Sequence, residues 1–205
     1  EIIHINDRYG LVYERIRGVS MAEALQHKPW NLLRCARRMA ELHVERHGTH
    51  IRADIPMQKE KMKGKVYRAN ALPVEIRLRV LAALEKMPEG TQLCHGDFHP
   101  GNIILTRRGG IIIDWIDSSL GEPVADVART SIIMLGLAET VKDQSVLKAA
   151  FVHIFHRAYL RHYFALRPGG KSQYYRWLPI AAAARLDENI TELQEWLMSR
   201  AEAIT

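Results

Sequence analysis

One stretch in the middle of the chain constrains its fold more than any other. Residues 95–102 read His-Gly-Asp-Phe-His-Pro-Gly-Asn, and residues 111–114 read Ile-Ile-Ile-Asp. Two short apolar runs, Ile103–Leu105 and Gly110–Ile113, surround an Arg-Arg-Gly turn at 107–109. Gly, Pro, Asn and Asp favour turns, whereas β-branched residues favour strands. The pattern therefore predicts a polar loop followed by a hairpin that brings the two ends of the motif together.

Three polar side chains in this stretch have the types and spacing that phosphoryl transfer from a metal-bound nucleotide needs. Asp97 lies in the loop, where its carboxylate can orient an incoming hydroxyl in line with the γ-phosphate. Asn102 and Asp114 lie at the two ends of the hairpin and offer hard oxygen ligands, which suit Mg²⁺ on phosphates. Asp and Asn are also common turn formers, but that alternative leaves Asp114, directly after an Ile-rich strand, unexplained.

The string at 95–102 resembles the catalytic loop of the aminoglycoside phosphotransferase and choline kinase family, relatives of the protein kinases. Three further segments carry the resemblance: 11–18 (Leu-Val-Tyr-Glu-Arg-Ile-Arg-Gly), 39–43 (Met-Ala-Glu-Leu-His) and 121–128 (Gly-Glu-Pro-Val-Ala-Asp-Val-Ala). The last segment departs mildly from the usual family pattern, which has Gly-Asp-Pro and Asp-Leu-Ala. The resemblance implies an α+β, protein-kinase-like fold with a mainly α-helical C-terminal lobe and small β-hairpins.

The resemblance also implies roles for individual residues. It implies adenine contacts from the backbone of Glu14, Arg15 and Ile16, with Ile104 and Ile113 as the apolar floor beneath the ring. Asp126 is implied as a structural anchor for the catalytic loop. His95 is implied to pack and hydrogen-bond inside that loop as part of the catalytic group. His99 could orient the loop or approach the phosphates.

The activity that the resemblance implies is an ATP- and Mg²⁺-dependent transfer of the γ-phosphate to a hydroxyl of a small molecule. An aminoglycoside, choline, a sugar or an amino alcohol would suit the same core. Asp117, Asp187 and Glu188 are candidate acceptor residues, because an acidic lining suits a cationic or polyhydroxyl acceptor. Asp117 could instead cap a turn, and the other two could lie on a solvated helix face.

The resemblance also bears on domain organisation. A kinase of this fold needs a loop over the phosphates, a strand Lys and a partner Glu, and no residue here can be assigned to them. We therefore expect residues 1–17 to be the end of the N-terminal lobe and the hinge strand, with 18–205 as the helical catalytic C-terminal lobe and the N-terminal ATP lobe largely absent. The competing hypothesis is a non-catalytic pseudokinase or a truncated scaffold lobe. A protein kinase is disfavoured, since no Ala-Pro-Glu segment follows Asp114.

Periodicity and turn residues predict the remaining elements. A hairpin is expected from residues 1–6 and 9–16, and a helix capped by Ser20 is expected at 21–26. Longer helices are predicted over about 29–46, after Pro73, and over 124–138, 143–166, 173–184 and 186–203. The pattern from His43 to His47 lacks the Glu position of a zinc protease helix, so a surface helix end is favoured. The lysines at 59, 61, 63 and 65 predict a solvated helix face.

Composition excludes several other classes. The chain is 47% apolar and 25% charged, which is ordinary for a globular protein. Its net charge of +6 comes from scattered basic residues, so we expect no nucleic-acid partner, and without an apolar run of about 18 residues we expect no membrane partner. The two cysteines lack metal-ligand spacing and favour a reducing compartment such as the cytoplasm. The oligomeric state stays open.

Overall fold

The structure is a computed structural model that describes residues 2–6, 8–49, 51 and 54–204, with Leu11 described by its backbone alone. The strands are β1 (Ile2–Ile5), β2 (Arg8–Leu11), β3 (Val19–Ser20), β4 (Gln92–Cys94), β5 (Ile103–Thr106), β6 (Gly109–Ile112) and β7 (Ser119–Gly121). The helices are α1 (Met21–His27), α2 (Leu32–His47), α3 (Gln58–Arg68), α4 (Val74–Glu85), α5 (Pro123–Val141), α6 (Val146–Leu166), α7 (Lys171–Arg185) and α8 (Gln194–Ala201). Short 3₁₀ turns precede α2, β5, β7 and α8.

The core is a stack of long helices. Helix α2 packs on α6, and α5 packs against both α6 and α7. Helix α5 is buried on almost every side over its first half, which is typical of a helix inside a core. Tyr159, Tyr163 and Trp177 are the largest fully buried side chains of this stack. Among the described helices, none has the length and hydropathy needed to cross a bilayer.

Three small antiparallel sheets lie against this helical stack. Strands β1 and β2 form a hairpin, β4 pairs with β7, and β3 pairs with the edge of the β5–β6 hairpin. The β5–β6 register places Ile103 opposite Ile112. Ile103 is fully buried, so this face of the hairpin is attached to the core. The α+β, kinase-like fold that the sequence implied is confirmed.

Most predicted elements are present, and two are corrected. The second strand ends at Leu11, not at residue 16, because Leu11 pairs with Ile2 and the described part of β1 offers no further partner. The predicted helix over 186–203 is interrupted by Asn189, whose φ of +53° lies in the left-handed region, so the regular helix runs only over α8. The Ser20 cap is confirmed, since its hydroxyl accepts from the Glu23 N–H at 3.1 Å.

Candidate active site

The loop between β4 and β5 is held by one buried carboxylate at the start of α5. Asp126 is fully buried. Its Oδ2 accepts from the His95 backbone N–H at 2.7 Å, and its Oδ1 accepts from that of Gly96 at 2.9 Å. The first turn of a helix favours a negative charge at this place. Asp126 therefore fixes the loop just before Asp97, as the structural anchor expected from the sequence would do.

Gly96 lets the loop turn sharply at this point. Its φ is +79°, a region that side-chain-bearing residues rarely adopt. A side chain there would also collide with the backbone carbonyl of Asp117. The close approach places Asp117 directly beside the loop that carries Asp97.

Hydrogen bonds tie this loop to the far end of the β5–β6 hairpin. Asn102 Nδ2 donates to both the carbonyl and the Oδ2 of Asp97, each at 2.9 Å. The carbonyl of Asn102 accepts from the Ile113 N–H at 3.0 Å. His95 is buried and bridges the same parts, since its Nε2 donates to the Ile113 carbonyl at 2.9 Å and its Nδ1 accepts from the Asp97 N–H at 3.2 Å. Residues 97, 102 and 113 are thus joined in one connected group, and Asp114 follows directly.

Asp97 presents an ionised carboxylate to solvent at the mouth of this group. Its side chain is 32% exposed, and His99 Nε2 lies 3.5 Å from its Oδ2. The Gly101 N–H donates to His99 Nδ1 at 3.1 Å, so in the neutral ring the proton is on Nε2, facing Asp97. The hydrogen bond from His99 lowers the pKa of Asp97 below its usual range, and the charge of Arg129 and the Asn102 amide act in the same direction.

Asp114 and Asn102 each offer a side-chain oxygen as a metal ligand near the end of the hairpin. Asp114 has φ +62° and ψ +63°, an uncommon conformation for a residue with a side chain. Its side chain is exposed, and within the described ranges no hydrogen bond or ion pair engages its carboxylate. Asn102 donates to Asp97 through its Nδ2, which leaves its Oδ1 available as a metal ligand. One carboxylate and one amide oxygen are hard ligands, so this set fits Mg²⁺.

Two of the residues expected to contact adenine lie on one face of the hairpin. Ile104 and Ile113 share the face opposite Ile103, since side chains alternate along a strand. Ile111, which the sequence prediction missed, lies opposite Ile104 and completes this apolar face.

The segment between β2 and β3 that leads towards this face has no regular structure. Glu14 and Arg15 are exposed within it, and Ile16 is half-buried. The segment ends at Gly18, where a side chain would collide with Ile104 and the Leu105 carbonyl, so the chain runs directly beside β5.

A buried network behind the loop corrects one prediction. The segment from His43 to His47 is not a surface helix end, because both imidazoles are buried. Their Nε2 atoms donate to Asp126 Oδ2 at 3.1 and 3.2 Å. Their Nδ1 atoms accept from the hydroxyls of Tyr159 and Tyr163 at 2.6 and 2.8 Å. The i, i+4 spacing of the two histidines on α2 was the signal that could have revealed a shared buried partner.

Protonation states in this network follow from burial. Burial lowers the pKa of His43 to about 3 and that of His47 below its usual value, so both rings are neutral donors. Burial alone would raise the pKa of Asp126, but the hydrogen bonds from His43 and His47 outweigh it and hold the pKa well below its usual range. Although these three side chains have ligand atoms close enough for a metal ion, each atom already has a hydrogen-bond partner. We therefore regard the cluster as a completed polar network.

The residues that were candidates for binding the phosphoryl acceptor lie on the other side of the loop, and each is paired with basic side chains. Asp117 Oδ1 lies 3.3 Å from the Nζ atoms of both Lys61 and Lys65. The two lysine side chains are only 24% and 20% exposed. The solvated face predicted for the lysine cluster is therefore wrong at these two positions, because their side chains pack along α3 towards the loop. It is also wrong at Lys59, whose side chain is 14% exposed and donates to the backbone carbonyls of Glu85 and Met87.

The two acidic residues after α7 are engaged in the same way. Asp187 receives a bidentate pair from Arg68, at 3.2 and 2.7 Å. Glu188 pairs with both Arg129 and Arg185. Neither acidic residue is a free surface charge, and the arginines that hold them were missed by the sequence prediction.

Comparison with known protein families gives a match over most of the chain. Residues 3–169 match the model of APH, described as the phosphotransferase enzyme family. Because the match covers most of the chain, this protein belongs to the phosphotransferase enzyme family. No curated protein matches the sequence.

Two solved structures share the fold. One is the apo form of a thermostable mutant of aminoglycoside phosphotransferase APH(4)-Ia, with 15% identity, a TM-score of 0.58, and coverage of 92% of this chain and 69% of that one. The other is a choline/ethanolamine kinase family protein from Mesorhizobium loti, with 16% identity, a TM-score of 0.54, and coverage of 99% and 71%. At these identities the likeness concerns the fold, and the family match supports a phosphotransferase of small-molecule hydroxyls.

Proposed function

We propose that this chain carries the catalytic site of an ATP- and Mg²⁺-dependent phosphotransferase that phosphorylates a hydroxyl of a small molecule. The proposal rests on the hydrogen-bonded network that joins the loop to the hairpin. An ionised Asp97 lies at its mouth, and the oxygen donors of Asn102 and Asp114 lie at its base. Phosphoryl transfer needs this combination of an orienting carboxylate and a metal-holding pair.

In this proposal Asp97 accepts a hydrogen bond from the acceptor hydroxyl and holds it in line with the γ-phosphate. The hydroxyl oxygen forms a bond to the γ-phosphorus while the bond to the β,γ-bridging oxygen breaks, ADP leaves, and the hydroxyl proton passes to Asp97. Asn102 Oδ1 and the Asp114 carboxylate would hold Mg²⁺, which neutralises phosphate charge. Orientation matters more than base strength, because the transition state is loose.

The two histidines have different proposed roles. His99 acts on Asp97 through its Nε2–H, whose nitrogen lies 3.5 Å from Asp97 Oδ2, and keeps Asp97 ionised. Both ring nitrogens of His95 bond to the protein backbone. We assign His95 as a positioning residue that fixes Asp97 relative to the segment before Asp114.

The nucleotide base is proposed to lie on the outer face of the β5–β6 hairpin. Ile104 and Ile113 are proposed as its apolar floor, and the backbone of Glu14, Arg15 and Ile16 is proposed to contact its edge. We propose residues 1–17 as the end of an N-terminal nucleotide lobe with its hinge, and residues 18–205 as the catalytic lobe. The cytoplasm is the proposed compartment. Cys94 is a buried free thiol, and such thiols are typical of a reducing compartment.

The test measures Mg·ATP turnover and Mg·ATP binding in two variants of the full-length protein, Asp97→Asn and Asp114→Asn. Asp97→Asn should lower the rate of Mg·ATP turnover about 10²–10⁴-fold while leaving Mg·ATP affinity within a few-fold. Asp114→Asn should instead weaken Mg·ATP binding and raise the Mg²⁺ concentration needed for half-maximal activity. The control is Asp143→Asn, since Asp143 is an exposed residue in the turn after α5.

The outcomes separate the proposal from the alternative of a nucleotide-binding scaffold. A scaffold would bind Mg·ATP in calorimetry but show no turnover that Asp97→Asn reduces. A near-normal turnover rate in the Asp97→Asn variant would show that Asp97 takes no part in the reaction.

A further inference from the structure

The side of the loop that faces away from the hairpin is a cleft with more positive than negative charge. Its lining includes Lys61, Lys65, Gly96, Asp117 and Arg129. Gly96 is the residue directly before Asp97, so a molecule in this cleft lies next to the proposed reaction centre. Three of these residues are cationic, whereas Asp117 and the buried Asp126, which also lines the cleft, carry negative charges.

The two lysines are held at the cleft by a single carboxylate oxygen. Both Nζ atoms lie 3.3 Å from Asp117 Oδ1, so two positive charges share one negative charge. Lysine is rarely buried to this extent unless it is paired. Each ammonium has three donors, and Lys61 uses one more on the Ser118 carbonyl at 3.4 Å. Donor capacity and net positive charge therefore remain for a ligand.

Arg129 adds an incompletely satisfied guanidinium. The residue is 8% exposed. Its Nε donates to the Gly96 carbonyl at 3.1 Å, and its Nη2 pairs with Glu188. Its Nη1 is buried and has no hydrogen-bond partner in the described part of the chain.

Glu188 cannot neutralise Arg129 alone, because Arg185 Nε lies 3.3 Å from the other oxygen of the same carboxylate. Two positive charges again share one negative charge. Burial lowers the pKa of Arg185 to about 10, with the charge of Arg129 acting in the same direction. At Asp117 and at Glu188, two basic side chains thus share one carboxylate, and the ionised Asp97 adds a negative charge that acts on Arg129 and Arg185.

The sequence suggested an acidic lining that would suit a cationic acceptor, but these pairs do not provide one. Asp117, Asp187 and Glu188 are matched by five basic side chains: Lys61, Lys65, Arg68, Arg129 and Arg185. A cationic acceptor would have to displace a lysine or arginine from its carboxylate. An anionic group would instead complete the unsatisfied donors, and lysine and arginine are the side chains that bind carboxylate and phosphate groups.

We propose that the acceptor carries an anionic group, a carboxylate or a phosphate, and that Lys61, Lys65 and Arg129 bind it while its hydroxyl faces Asp97. This inference rests on the proposed phosphotransferase function and narrows its substrate class to hydroxylated acids and phosphorylated alcohols. The cationic cleft would also attract such an acceptor electrostatically.

The test compares acceptors that differ in charge but share a three-carbon skeleton. Glycerate, glycerol 3-phosphate, glycerol and 2-amino-1,3-propanediol are supplied to the full-length protein with Mg·ATP at constant ionic strength. Transfer is followed by ³¹P NMR, and each compound is also tested as an inhibitor of ATP hydrolysis. We expect the two anions to be used or to inhibit at concentrations at least ten-fold lower than glycerol, with the amine weakest. The two anions distinguish the carboxylate from the phosphate source.

The variant that tests the site is the double substitution Lys61→Gln, Lys65→Gln. It should remove the ten-fold preference by raising KM or the inhibition constant for the anions, while KM for ATP and the values for glycerol stay unchanged. Lys63→Gln is the matched control, because Lys63 lies on the same helix but pairs with Glu85 away from the cleft. It should keep the full preference.

Three results would overturn the inference. The first is equal effects of all four compounds, and the second is a preference for the amine; in either case turnover that still depends on Asp97 would leave the proposed function standing. The third is a rise in KM for ATP in the double variant, which would assign the lysines to the nucleotide phosphates. Absence of any Asp97-dependent turnover would instead overturn the proposed function itself.

Discussion

Replacing Asp126 by Asn should destabilise the protein strongly, because this carboxylate accepts four hydrogen bonds at full burial. The donors are the rings of His43 and His47 and the backbone N–H groups of His95 and Gly96. Asparagine keeps one oxygen but replaces the other with an NH₂ group. Whichever way the amide is turned, that NH₂ faces at least one N–H donor and leaves it unpaired.

The size of the effect follows from the number and kind of bonds lost. A hydrogen bond to a charged group contributes about 1.5–3 kcal/mol, and a buried donor left unpaired costs about 1–3 kcal/mol. We expect Asp126→Asn to lower the free energy of unfolding by about 3–5 kcal/mol. For a chain of this length each kcal/mol shifts Tm by about 2–4 °C, so Tm should fall by about 6–20 °C.

Differential scanning calorimetry of the wild type and the variant measures this loss. Asp143→Asn is the control, since Asp143 is exposed and a surface change of this kind should stay within about 0.5 kcal/mol. At temperatures where it remains folded, the Asp126→Asn variant should also turn over Mg·ATP more slowly, with KM for ATP little changed. A fall in Tm of less than about 2 °C would refute the argument that Asp126 anchors the loop.

Two further predictions concern protons. Because the pKa of His43 is about 3 in the folded protein and 6.5 when exposed, the unfolded chain binds more protons below pH 6.5. Stability should therefore fall as pH drops from 7 to 5.5, by about 1 kcal/mol from His43 alone, and a Tm that stays constant over this range would contradict the buried neutral ring. His99→Gln removes the group that chiefly lowers the pKa of Asp97, so the acid limb of the kcat/KM profile should move to higher pH, with a loss of up to about 100-fold on the plateau. An unshifted limb would show that His99 does not act on Asp97.

Local spacing along the chain determines much of this protein's site. Asp97, Asn102 and Asp114 lie within one loop and one hairpin, so the hairpin register alone brings residues 102 and 113 together. The apolar pattern of the same stretch predicted β5 and β6 for the same reason, since β-branched residues alternate across a strand. The fold class followed from motifs of this local kind. The predicted extension of β2 to residue 16 failed because a strand needs a partner, and pairing is not a local property.

Only the tertiary structure decided which distant side chains meet. His43 and His47 reach Asp126 across about eighty residues of sequence, and the helical pattern of α2 could not show that its polar positions face a buried carboxylate. Lys61 and Arg129 come from α3 and α5, and only the packing of these helices beside the loop directs their charges to one cleft. Charge pairing depends on distances between elements that are remote in the chain. The candidate loop at residues 95–102 could therefore be predicted from the sequence, whereas the electrostatic character of the cleft beside it required the folded arrangement.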